Sequence, residues 1–162
     1  MGYYVEGEGT ITILNENLDA AYKAMVALNN VPDELKRGGT YSNGAYVSKH
    51  FSWMPTDLTE IKTAEEMFER LGFHIGRSDR RSLQLTAYDS KMGQEEIFIA
   101  AVQQFVEDDS HFEWKGEDGS MWTWKFNGGK LFKATAMVEW QDEGALSLGA
   151  ALGLSEDWAS TY

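Results

Sequence analysis

The chain contains no cysteine and no long apolar run. Without cysteine, disulfide bonds and thiolate metal sites are excluded, and nothing requires an oxidising compartment. No segment approaches the run of about 18 apolar residues that marks a membrane-spanning helix, and the chain does not open on a basic segment followed by an apolar one. The sequence therefore predicts no contact with a membrane and no secretory signal, and we expect a cytoplasmic protein.

Positive charge is scarce: 14 Lys and Arg stand against 26 Asp and Glu, for a formal net charge of −12. Residues 82–162 hold 5 basic and 14 acidic side chains, so −9 of that charge belongs to this half. Such a field opposes direct binding to nucleic acid and steers the protein toward a partner with a basic surface. Solubility alone is the alternative explanation of the acidic composition.

Motifs that identify a reaction are missing. The chain has no phosphate-binding or dinucleotide-binding glycine fingerprint and no nucleophile elbow. Its three histidines, His50, His74 and His111, fall in different predicted elements with no carboxylate at metal-ligand spacing. The sequence therefore predicts a non-enzymatic protein with no catalytic residue, no metal site and no cofactor.

Aromatic residues alternate with other residues on both sides of an acidic, glycine-containing turn within residues 111–126. This pattern predicts a β-hairpin whose rings lie on one face: Phe112, Trp114, Trp122, Trp124 and Phe126. Two locations are open for Trp114, Trp122 and Trp124. They either pack in the core under the helices or form an exposed patch that anchors a partner.

Hydrophobic periodicity organises the remaining chain. It predicts helices over residues 15–30, 57–72 and 93–106. It predicts strands over residues 3–13, 46–53, 73–77 and 83–88, and a third strand over 130–140 that extends the aromatic hairpin into a meander. Together these elements predict a single α+β domain over residues 1–140, with an antiparallel sheet and helices packed on one face in two layers.

Two segments are candidates for binding. Residues 31–50 show no period and predict a long loop, which in a compact domain is either functional or mobile, so Tyr41 and Tyr46 are candidate binding residues. In the turn of the hairpin over residues 73–88, three side chains form a basic cluster: Arg77, Arg80 and Arg81. An alternative function follows from this cluster, in which Trp and Tyr rings stack on a nucleotide base and an arginine contacts its phosphate.

Two acidic groups complete the candidates. Glu117 and Asp118, in the turn of the aromatic hairpin, contribute to the predicted acidic binding surface. Glu113 and Lys115 share one strand face, and with Asp89 they resemble the Asp…Glu-x-Lys arrangement of metal-dependent nucleases. A solvated face opposite the aromatic rings is the alternative explanation, and nuclease activity is the third functional hypothesis.

Residues 141–162 form a predicted C-terminal tail. Leucines alternate there with glycine and other small residues, which makes a lone helix marginal, and Trp158 and Tyr162 are candidate anchors. We expect the tail to dock on its own sheet or on a second copy in a homo-oligomer. A mobile tail is the alternative.

Three segments carry a resemblance: residues 1–7 (MGYYVEG), 50–54 (HFSWM) and 116–124 (GEDGSMWTW). Together they resemble small acidic proteins of actinobacterial phages, over about residues 1–135. The resemblance implies a phage or mobile-element accessory protein, a class associated with host takeover and anti-defence. The expected function is binding and modulation of a host or defence protein through acidic and aromatic surface.

Overall fold

The first strand, β1 (Tyr4–Leu14), lies in the middle of a six-stranded antiparallel sheet. The computed structural model describes residues 2–77, 79–137 and 139–154, without the side chain of Tyr46. Seven further strands follow β1 in these residues: β2 (Gly38–Ser42), β3 (Ala45–His50), β4 (Phe73–Gly76), β5 (Ser82–Lys91), β6 (His111–Gly116), β7 (Met121–Asn127) and β8 (Lys130–Thr135). The large sheet has the order β4-β5-β1-β6-β7-β8, while β2 and β3 form a separate hairpin.

Three helices cover one face of the sheet, and a fourth is a single turn near the end of the described chain. They are α1 (Leu18–Val26), α2 (Ala64–Leu71), α3 (Glu95–Val102) and α4 (Leu148–Ala151). Both ends of α2 have capping residues. The Thr63 hydroxyl accepts the Glu66 N–H at 3.1 Å, and Gly72 ends the helix at a φ of 115°. The predicted α+β class, with an antiparallel sheet under helices, is confirmed.

The sheet is assembled from two helix–hairpin units that flank β1. Helix α2 leads into the β4–β5 hairpin, whose inner strand pairs with one edge of β1. Helix α3 leads into the β6–β7 hairpin, whose inner strand pairs with the other edge. Both pairings with β1 are antiparallel, so the order of elements along the chain places the first strand at the centre.

Aromatic rings fill the space above Gly7, in the middle of β1. A Cβ at this position would lie 2.3 Å from Phe112 Cε1 and 3.0 Å from Trp114 Cε3. The rings of Phe73, Tyr88, Phe112, Trp114 and Trp124 lie within 4.9–6.2 Å of their neighbours, mostly tilted or edge to face. We call these five rings the aromatic cluster. It joins β4, β5 and the aromatic hairpin across the central strand.

The predicted long loop over residues 31–50 is wrong in part, because it contains the β2–β3 hairpin. Asn43 and Gly44 form its turn with φ values of 52° and 81°. An Asn-Gly pair is a strong hairpin signal, but the flanking residues are mostly polar, so no alternation of apolar side chains accompanies it. Both strands lie outside the large sheet, which explains the missing pattern.

Gln94 ties this hairpin insertion to α3. Its side-chain oxygen accepts N–H groups of Arg37 at 2.9 Å and Ser52 at 3.2 Å, and its amide donates to the Leu35 carbonyl at 2.9 Å. The contacts lie on both sides of the β2–β3 hairpin. A single buried side chain therefore holds both ends of the insertion against the start of α3.

Further boundaries differ from prediction. Helix α1 covers Leu18–Val26 of the predicted 15–30, and α2 begins at Ala64 and not at residue 57. Strand β8 ends at Thr135, not at residue 140, and the Trp140 side chain is 94% exposed. Helix α3 ends at Val102 and continues as a 3₁₀ turn over Gln103–Phe105.

The candidate anchors Trp158 and Tyr162 lie outside the described residues. Within the described part of the chain, no helix is long and apolar enough to cross a membrane.

We expect Gly7→Ala to destabilise the protein by about 1–3 kcal/mol, because the methyl group must displace two fully buried rings. Chemical denaturation measures the change in the free energy of unfolding. Thr10→Ala, at an exposed position of the same strand, is the control and should shift stability by no more than about 0.5 kcal/mol. Equal stability of the two variants would contradict the role assigned to Gly7.

Candidate functional site

The sheet face opposite the helices is open, and its centre is acidic. Exposed side chains of Glu6 and Glu8 on β1, Asp89 on β5 and Glu113 on β6 lie there, around a shallow depression of about 400 Å³. We call these four residues the acidic patch. Because strand residues alternate between faces, the same alternation that buries the rings of β6 places Glu113 on the solvent side.

Like charges face each other directly within the acidic patch. Glu6 is the cross-strand neighbour of Asp89, and Glu8 is the neighbour of Glu113. Directly opposite side chains have Cβ atoms about 4.5–5.5 Å apart, where like charges destabilise a sheet. Lys115, the other neighbour of Glu6, offsets one of these pairs. None of the ion pairs found in the described residues includes a member of the patch.

The same open face changes character toward the β8 edge. A groove of about 330 Å³ runs over β7 and β8 and borders Glu113 of β6; its open side is also lined by Met121, Thr123, Lys125, Ala134 and Ala136. We call it the β7–β8 groove. Phe132, the cross-strand neighbour of Lys125, is exposed beside it. The face thus has an acidic part and an apolar part that carries lysine.

Of the three predicted tryptophans, two belong to the core. Trp114 is 1% exposed and Trp124 is 2% exposed, so neither ring is available to anchor a partner. Trp124 Nε1 donates to Glu96 of α3 at 3.2 Å, whereas Trp114 Nε1 has no hydrogen-bond partner in the described residues. Trp122 is half-buried and stacks on Trp114 at 6.0 Å between ring centroids. For Trp114 and Trp124, the structure decides in favour of core packing.

The other predicted binding residues are dispersed. Tyr41 is exposed on the β2–β3 hairpin, and its hydroxyl donates to the Gly44 carbonyl at 2.7 Å. The backbone of Tyr46 pairs with Tyr41, and its side chain lies outside the described part of the chain. This hairpin is not part of the large sheet that contains the tryptophans of β7.

The arginine cluster lies beside the β4–β5 turn. Arg77 is held by Glu65 at 2.9 Å and by Asn15 at 3.2 Å, while Arg80 and Arg81 are exposed. Strands β5 and β7 are separated by three strand spacings, or about 14 Å. An arginine of this turn and Trp122 therefore do not share one small-molecule site.

Glu117 and Asp118 hold the turn of the aromatic hairpin against the start of β1. Glu117 accepts the Tyr4 N–H at 3.2 Å, and Asp118 accepts the Tyr3 hydroxyl and the Ser120 N–H. The hydrogen bond from Tyr3 lowers the pKa of the Asp118 carboxyl below its ordinary value. Both acids are exposed, but the carboxylate of each already accepts hydrogen bonds within the fold.

The nuclease-like set shares a face without converging. Asp89, Glu113 and Lys115 all lie on the open face, but β1 separates β5 from β6. Asp89 aligns with Glu6 and Glu113 aligns with Glu8, two residues further along β1. The described residues contain no group of three or more His, Asp or Glu side chains placed to hold a metal ion.

One buried acid escaped the sequence prediction. Glu95, the first residue of α3, is 2% exposed, and its carboxylate accepts the Gly93 N–H at 2.8 Å. Burial raises the pKa of this carboxyl above its ordinary value, and the charge of Arg37 opposes the rise. Acids in the first turn of a helix are common at the surface, so the sequence carries no signal that this one is buried.

Trp53 packs against the same corner in a strained backbone conformation. Its φ of 70° belongs to the region that favours glycine, within a turn closed by the Met54 N–H and the Phe51 carbonyl at 3.0 Å. Arg70 donates to the Trp53 carbonyl at 3.1 Å, and the indole leaves no space for a side chain on Gly93. These contacts hold the strained turn at Trp53 in place.

We expect Glu95→Gln to be more stable than the wild type at pH 7 and to match it below about pH 4. A carboxyl whose pKa is raised on folding loses stability as pH rises through the raised value, whereas the amide resembles the protonated acid at every pH. Thermal denaturation between pH 3.5 and 7.5 measures the difference. Glu34→Gln, at an exposed position, is the control, and its stability should differ from that of the wild type by the same amount at every pH. A Glu95→Gln variant less stable than the wild type at neutral pH would refute the destabilising role of the buried Glu95 charge.

We expect Glu8→Gln to stabilise the fold by about 0.2–1 kcal/mol, because Glu8 faces Glu113 on one side and Ala87 on the other. Glu6→Gln is a matched control on the same strand and face: it removes one repulsive and one attractive neighbour and should change little. Chemical denaturation at low and high salt tests both, and the gain from Glu8→Gln should shrink as salt screens the pair. A loss of stability would show that Glu8 is held by a partner within the fold.

Comparison of the chain with protein-family models, with curated proteins and with solved structures finds no match. The similarity to phage proteins therefore stays a prediction.

Proposed function

We propose that this protein is a non-enzymatic binding protein that docks on a basic surface of a partner protein through its acidic patch. The observation that carries the proposal is the pair of like-charge contacts on an uncovered sheet face, Glu6 with Asp89 and Glu8 with Glu113. The resemblance to phage accessory proteins makes a host or defence protein in the cytoplasm the partner class.

Energetics support a binding role for the acidic patch. Directly opposed carboxylates reduce stability by about 0.2–1 kcal/mol, so they give the isolated protein no advantage over neutral residues. A Lys or Arg placed between two such carboxylates replaces repulsion with two attractive contacts. Binding of a basic side chain thus removes repulsion that is present in the isolated sheet, and this favours partners with clustered positive charge.

The surroundings of the patch fit a protein partner. The whole molecule carries −12, which accelerates encounters with basic proteins and repels phosphate backbones. Met121 and Tyr4 are exposed at the borders of the patch and offer apolar contact area. The depression in this face is shallow and open, which suits a protein surface better than a small molecule.

Affinity purification from host lysate with four-fold neutralised protein tests this function. The patch variant combines Glu6→Gln, Glu8→Gln, Asp89→Asn and Glu113→Gln, and we expect it to lose a partner of basic character that the wild type retains. Binding by the wild type should weaken as salt rises, since exposed charges are screened over about 8 Å at physiological salt.

The matched control neutralises four exposed acids elsewhere on the described surface: Glu16, Glu34, Glu60 and Glu69. It has the same net charge as the patch variant, so a general charge effect would weaken both equally. Equal loss of the partner in the two variants, or equal retention, would contradict the proposal. Circular dichroism confirms that both variants are folded.

A further inference from the structure

Residues 139–154 leave the domain after β8 and expose apolar side chains. We call them the C-terminal arm. Trp140 is almost fully exposed, Leu146 is 78% exposed, and Leu148 and Leu152 are also exposed. Burial of a leucine side chain is favourable, so the arm of a single copy exposes apolar area whose burial would stabilise an assembly.

The arm also carries a helix too short to stand alone. Helix α4 is one turn, capped by the Ser147 hydroxyl, which accepts the Ala150 N–H at 3.0 Å. Leu148 and Leu152 are four residues apart and therefore lie on one side of this turn. Because isolated helices of this length are unstable in water, a surface that receives the two leucines would stabilise the turn.

The β7–β8 groove has the complementary chemistry. Its apolar lining includes Met121, Ala134 and Ala136, with exposed Phe132 beside it. Lys125 and Glu113 line the groove, and a second lysine, Lys115, is the cross-strand neighbour of Met121. The arm holds three acids, Glu139, Asp142 and Glu143, and no Lys or Arg. Apolar residues therefore match between arm and groove, and the two lysines at the groove outnumber Glu113 as neighbours for the acids of the arm.

Within the described residues the arm does not fill the groove of its own copy, since its leucines remain exposed. An extended chain over residues 139–147 reaches about 30 Å. Six strands span about 24 Å, so the arm can extend past its own sheet to a neighbouring molecule. We infer that the C-terminal arm of one copy docks in the β7–β8 groove of a second copy, forming an arm-exchanged homodimer.

This inference does not rest on the proposed function, although Glu113 and Met121 line both the depression of the acidic patch and the β7–β8 groove. Exchange of two arms gives two identical contacts related by a two-fold axis, which closes the assembly at a dimer.

Sedimentation velocity of the full chain tests the dimer. We expect the wild type to sediment at twice 18.2 kDa at micromolar concentration. The arm variant Leu146→Ser with Leu148→Ser and the groove variant Met121→Glu should each weaken dimerisation by about tenfold to a hundredfold for every apolar side chain replaced. Val47→Ser, at an exposed apolar position of β3, is the matched control and should dimerise like the wild type.

Mixing the two defective variants gives the sharpest result. The groove variant has an intact arm and the arm variant has an intact groove, so the mixture should form a heterodimer through one contact although neither variant dimerises alone. A wild type that stays monomeric would overturn the inference. So would a dimer that survives the arm variant, or a mixture without a heterodimer.

Discussion

The packing of the aromatic cluster against Gly7 is the contact on which the rest of the structure depends. The central strand has no side chain at this point, and the Phe112 and Trp114 rings of β6 fill the space instead, packed against rings from β4, β5 and β7. These rings join the two helix–hairpin units, which meet only through β1 in the sheet ladder. Aromatic pairs contribute about 0.5–1.5 kcal/mol beyond burial of their area, so the cluster holds the sheet in one register.

Burial of this cluster also determines what the opposite face contains. Alternation along β1 and β6 means that fixing Gly7 and Trp114 inward fixes Glu6, Glu8 and Glu113 outward. A slip of one residue would expose the rings and bury the acids. The core and the acidic patch are therefore two consequences of one register, and the repulsion within the patch is tolerated because the aromatic packing outweighs it.

The β2–β3 insertion depends on a different set of contacts at the start of α3. Gln94 satisfies backbone groups on both sides of the hairpin, while Glu95 is buried beside Gly93 and the strained turn at Trp53. Polar contacts of this kind fix position at little gain in burial. These polar contacts act together with the buried ring of Phe51, directly after β3, which packs edge to face on Phe98 of α3.

The sequence by itself determined the α+β class, the aromatic hairpin and the central helical segments, because periods of 2 and 3.6 residues record which side of an element is buried. It also indicated the acidic character of the surface. Tertiary structure decided the rest: Trp114 and Trp124 are core residues, Glu6 and Asp89 become neighbours, and Glu95 is buried. These facts depend on strand order and on which face the helices cover, and both arise from contacts between residues far apart in the chain.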